Sequence, residues 1–97
     1  MNEKKLQGMM GFAMKTRQTA TGADACSMMI QSGKCGILLL DEEAGVHTRE
    51  RFERLCQRTG TRIAILPAGL LETATGCTGV TMALKKGPFA DQIAGCL

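Results

Sequence analysis

The stretch Ser32-Gly33-Lys34-Cys35-Gly36-Ile37-Leu38-Leu39-Leu40-Asp41-Glu42-Glu43 decides how the rest of the chain is read. Ile37 to Leu40 is an unbroken aliphatic run between a glycine and three acids. Successive side chains of a strand point to opposite faces, so a strand that is apolar at every position must be covered on both sides. The run is therefore expected to be a central strand. Ser32-Gly33-Lys34 just before it fits the C-terminal cap of a helix, because glycine enters the left-handed conformation that such a cap needs.

Working outward, Cys26, Met29, Ile30 and Gly33 form the apolar stripe of that helix, with Thr21 as its expected cap. A short edge strand is expected over Arg17 to Ala20. Ahead of it, Leu6, Met9, Met10 and Ala13 keep the spacing of one helical face. Downstream, Thr48 to Thr59 reads as a solvated helix with Phe52, Leu55 and Cys56 on one stripe, Glu50 placed to pair with Arg54, and a stop at Gly60. Arg62 to Leu66 repeats the buried-strand pattern. Pro67-Ala68-Gly69 opens a short helix to about Ala74, Gly76 and Gly79 bracket a turn, and Val80 to Leu84 forms another strand. Gly87-Pro88 starts a last helix faced by Phe89, Ile93 and Leu97. Strands that alternate with helices imply an α/β fold with right-handed crossovers. We expect a three-layer α/β/α sandwich, a four-stranded mixed sheet with about five helices, as one domain over residues 1–97.

Composition narrows the functional classes. Twelve Lys and Arg against nine Asp and Glu give a net charge of +3, which attracts a polyanion only where the cations gather on one face. All three aromatic residues are Phe, so base stacking on Tyr or Trp is excluded. Five cysteines, Cys26, Cys35, Cys56, Cys77 and Cys96, form no C-x-x-C pair and read as small buried hydrophobes in a reducing cytoplasm. The N-terminus is polar, and no signal peptide or membrane span is expected.

Catalysis finds no constellation. The one histidine, His47, lies nine residues before Cys56, which does not put the two on one helical face, and it reads as a polar residue ahead of a cap at Thr48. Asp41, Glu42 and Glu43 stand where open α/β sheets bind ligands, yet have no companion ligands at metal spacing and read as a solvated loop. Gly76-x-x-Gly79 and Ser32-Gly33-Lys34 both lack the glycine order of a phosphate-binding loop. We expect no enzyme, no catalytic residue, no metal and no cofactor.

The order Gly22, Ser32-Gly33-Lys34, Ile37 to Leu40, a carboxylate pair and Thr48, then Cys56, Leu71-x-x-Ala74-x-Gly76 and Gly87-x-Phe89-Ala90, resembles the ribosomal L-seven-Ae/L-thirty-e family of kink-turn RNA-binding proteins. Its small bacterial YlxQ-like members are the most similar, and Leu6 through Ala13 look like the family's first helix. The resemblance implies a cytoplasmic ribonucleoprotein component linked to translation. Its partner would be structured RNA, ribosomal or kink-turn-like, with no DNA or membrane partner. It also implies that the start of the second helix and the loop before the last strand meet the RNA, through Gly22, Asp24, Ala25, Met28, Gly76, Cys77 and Thr78. Lys15, Arg17 and Lys34 would contact phosphates around Gly22.

The family's base-reading Asn, Glu and Lys correspond here to Asp24, Ala25 and Met28. Asp24 is expected to cap a backbone N–H. Ala25, Met28, Met29 and Ser32 share a helical face, so a protein partner at this second-helix face is the alternative to RNA. Arg49, Arg51, Arg54 and Arg58 read as a solvated face with intrahelical pairs.

Overall fold

The computed structural model describes residues 2–76 and 79–97, and in it the aliphatic run lies within β2 (Cys35–Asp41). The sheet is completed by β1 (Thr19–Thr21), β3 (Arg62–Leu66) and β4 (Thr81–Lys85) in the order β1-β4-β2-β3. β2 runs parallel to β3 and antiparallel to β4, and β1 is antiparallel to β4, so the sheet is mixed. Alternation along β2 divides the core in two. Ile37 and Leu39 join Met82 and Leu84 on one face, under α1 (Glu3–Lys15), α4 (Leu70–Thr75) and α5 (Pro88–Gly95). Leu38, Leu40 and Ala83 face α2 (Ala23–Gln31) and α3 (Val46–Thr59). The fold is the expected α/β/α sandwich.

Helix ends follow the chemistry of their residues. At the end of α2, Gly33 takes φ +75°, its N–H donates to Ile30 O at 3.1 Å, and the Lys34 N–H donates to Met29 O at 3.2 Å. These are the two bonds of a Schellman cap, which glycine adopts at little cost. The same pair of bonds closes α1, from Arg17 N to Met14 O and from Gln18 N to Ala13 O, both near 3 Å. Here, though, the left-handed position holds Arg17, at φ +59°. A side chain there costs about 1 kcal/mol relative to glycine.

Several sequence expectations are corrected. Thr21 is the last residue of β1, paired with Met82, and its ladder position holds it extended, so the turn into α2 falls to Gly22. Thr48 lies inside α3, which starts at Val46 after Gly45, and His47 belongs to its first turn. β3 is an edge strand with exposed Arg62 and Ile65, because β2 already has β4 on its other side. Leu97 lies beyond α5 and is 40% exposed.

Cys26, Cys35 and Cys56 are buried together between the sheet, α2 and α3, as small hydrophobes, while Cys96 is half-buried beside Met9. Cys77 lies outside the described residues. Burial, reinforced at Cys35 by the neighbouring thiols of Cys56 and Cys26, pushes Cys35 and Cys56 up to about 11. A thiol pKa raised by folding gives stability that is complete below the unfolded value of about 8.5 and disappears as pH rises through the folded value. Urea midpoints should therefore be level from neutrality to about pH 8.5 and fall toward pH 11, and a Cys35→Ala/Cys56→Ala variant should flatten that decline.

Candidate nucleic-acid interface

β1, β2 and β3 all point the same way, and α2 and α3 begin at the ends where β1 and β2 stop. Gly22 makes the turn from β1 into α2 at φ +89° and ψ 153°, a conformation essentially confined to glycine. No side chain caps the helix, so Gly22 leaves the first-turn amides of α2 unclaimed by a capping group. Such amides, with the positive end of the helix dipole, are donors for an anion or a base edge. At the same end, Gly76 closes α4 in the left-handed conformation, and the chain re-enters the sheet at Thr81, next to the Thr21 partner Met82. Cys77 and Thr78 belong to this connection but lie outside the described residues.

Asp24, Ala25 and Met28 are all exposed along α2, and Met28 is 71% exposed, so it is a surface residue and not part of the core edge. Asp24 does not cap the helix. Its carboxylate, fully out in solvent, stands 3.9 Å from Arg51, whose guanidinium donates to Ser27 Oγ at 3.0 Å. The pairing arises because Asp24 follows Gly22 by two residues, inside the first turn, where its side chain points outward toward α3. An exposed pair at that distance contributes little, and the Arg51–Ser27 hydrogen bond is the firmer link between α2 and α3. Arg54 makes the expected pair with Glu50, at 4.0 Å.

The basic residues expected around Gly22 are not there. Lys34 follows the far end of α2, and nine residues at about 1.5 Å each place it roughly 14 Å along the helix from Gly22. Lys15 and Arg17 end α1 and precede β1, so they too lie at the opposite end of the sheet. Chain order puts these residues near Gly22, whereas a strand or a helix carries the chain across the whole molecule. At their end the structure adds two residues that the sequence pattern did not single out, Lys85 and Lys86. The Lys86 N–H donates to Lys34 O at 2.9 Å, and the Lys85 N–H donates to Gln18 O at 2.8 Å. The Lys-Lys doublet closing the last strand pattern was the available signal.

The acidic loop proves partly structural. Asp41 is 6% exposed, and its carboxylate accepts the Glu43 N–H at 2.7 Å and the Gly69 N–H at 2.9 Å, while Glu42 accepts the Ala68 N–H at 3.0 Å. These carboxylates bind the turn after β2 to the turn before α4. Among the described residues, no three His, Cys, Asp or Glu side chains converge as metal ligands, and no helix is long and apolar enough to cross a membrane.

Comparison with solved structures places this fold among known ones. A protein of unknown function from Bacillus halodurans superposes with a TM-score of 0.88 at 24% identity, over 94% of both chains. The Giardia lamblia 15.5kD RNA binding protein superposes with a TM-score of 0.79 at 13% identity, over 96% of this chain and 84% of its own. At these identities the likeness defines the architecture of a class. No family model matches the sequence, and no curated protein matches it.

Proposed function

We propose that this chain is a non-catalytic, single-domain RNA-binding protein that holds a structured RNA, ribosomal or kink-turn-like, within a cytoplasmic ribonucleoprotein linked to translation. The observation that carries the reading is the superposition of nearly the whole chain on an RNA-binding protein. The end of the molecule at Gly22 supports it, since first-turn amides without a side-chain cap suit bulged or splayed nucleotides, whose edges are the usual targets of RNA specificity. Asp24, Ala25 and Met28 replace amide, carboxylate and cation at the family's base-reading positions, so the grip at this end is by backbone and by apolar contact.

A labelled kink-turn RNA titrated at about 50 and 200 mM salt tests the reading. Binding should weaken with salt and should fall on Met28→Glu, which places a negative charge beside the bound RNA. No binding at the lower salt would remove the reading. Exposed Met28 favours a second reading, a protein partner at the α2 face, which predicts salt-insensitive capture lost on Met28→Lys.

A further inference from the structure

The charges that flank the strands divide by strand end, although Arg49 and Arg51, near the start of α3, are cations on the acidic side. Asp24, Asp41, Glu42 and Glu43 lie where β1 and β2 finish. Arg17 and Lys34 precede β1 and β2, Arg62 begins β3, and Lys85 and Lys86 end the reversed strand β4. Asp91, in the first turn of α5, is an acid on the basic side. Lys34, Lys85 and Lys86, together with Gly33, line an open pocket of about 390 Å³. Backbone bonding holds them in place: Lys85 is paired with Cys35, and the Lys86 N–H is bonded to Lys34 O. Among the described residues the ion pairs are Arg51–Asp24 and Arg54–Glu50, so none of the three lysines has a carboxylate partner.

Three lysines without such a partner around one pocket present a local positive potential, which attracts an external anion. The cations also continue past the pocket, to Arg17 on one flank and Arg62 on the other. A line of cations matches the repeated charges of a phosphate backbone better than it matches a single anion. Arg17 adds an independent sign, since a cation holds a left-handed helix end that glycine would occupy more readily.

We infer that the pocket of Lys34, Lys85 and Lys86 is a second RNA contact, gripping phosphates at the end of the sheet opposite Gly22. The domain then touches RNA at both ends of α2, as a sharply bent RNA or two neighbouring RNA segments would allow. This rests on the RNA-binding function proposed for the chain.

The test is fluorescence anisotropy with a labelled kink-turn RNA, comparing the wild-type chain, a Lys34→Gln/Lys85→Gln/Lys86→Gln variant and the matching Lys→Arg variant. All three lysines are exposed, so circular dichroism should show each variant folded. The Gln variant should bind roughly tenfold or more weakly, and its slope of log affinity against log salt should be shallower by about 2–3, one for each phosphate that is no longer neutralised. The Arg variant should keep the wild-type slope. Wild-type affinity and slope in the Gln variant would overturn the second RNA contact while leaving RNA binding at the Gly22 end standing. A wild-type chain that fails to bind at about 50 mM salt would remove both.

Discussion

Gly36→Val should lower the unfolding free energy by about 2–3 kcal/mol. A Cβ at Gly36 would stand 2.7 Å from the Ala90 Cβ, 3.0 Å from the Lys86 Cα and 3.2 Å from the Lys85 carbonyl oxygen. None of these is the tip of a flexible side chain, so relief requires α5 or the β4–α5 turn to move. Gly36 also sits at the register shift between Cys35 and Ile37, where β2 bends under Ala90. Chemical denaturation should show a reduced midpoint with an unchanged slope. Ala90→Gly in the Gly36→Ala background should recover part of the loss by removing the shortest approach, so the two changes should be non-additive. An undiminished midpoint for Gly36→Val would mean that α5 does not rest on β2 as closely as the structure shows.

Asp41→Ala should cost about 2–4 kcal/mol, or a melting temperature lower by about 10–20 °C for a domain of this size. Two backbone donors, Glu43 N–H and Gly69 N–H, lose a charged acceptor at a nearly buried position. Asp41→Asn should cost roughly half as much, since its amide oxygen still serves one donor while its NH2 faces the other. Glu43→Gln is the control: its side chain is exposed, and only its backbone N–H serves Asp41. Differential scanning calorimetry of the three variants should rank them in that order. Equal melting temperatures for Asp41→Ala and Glu43→Gln would return the whole acidic loop to solvent.

The two ends of the sheet thus have different work. The carboxyl ends of β1 and β2 carry acids, of which Asp41 and Glu42 hold neighbouring turns together, and the bare start of α2 offers backbone donors there. The amino ends carry lysines that have no carboxylate partner among the described residues. With a net charge of only +3, attraction to a polyanion depends on such sorting, since an even spread would present no positive face.

Sequence alone determined the layers. Four aliphatic residues in a row at Ile37 to Leu40 require cover on both faces, and the helical stripes at Leu6-Met10-Ala13 and Phe52-Leu55-Cys56 provide it, because burial pattern and side-chain period are local properties. It also placed Gly33 at a helix end, where φ +75° is now seen. Arg62 to Leu66 misled, since an apolar run carries no record of whether a strand has one neighbour or two. Asp41 misled for a related reason: one of the two N–H groups that its carboxylate accepts, at Gly69, is brought to it only when β2 and β3 align. The charge map needed the tertiary structure most. Lys34 stands twelve residues from Gly22 and fifty-one from Lys85 in the chain. Helix α2 carries it away from the first, and the antiparallel pairing of β2 with β4 brings it to the second, because hydrogen-bonded register and not chain distance decides which charges share a surface.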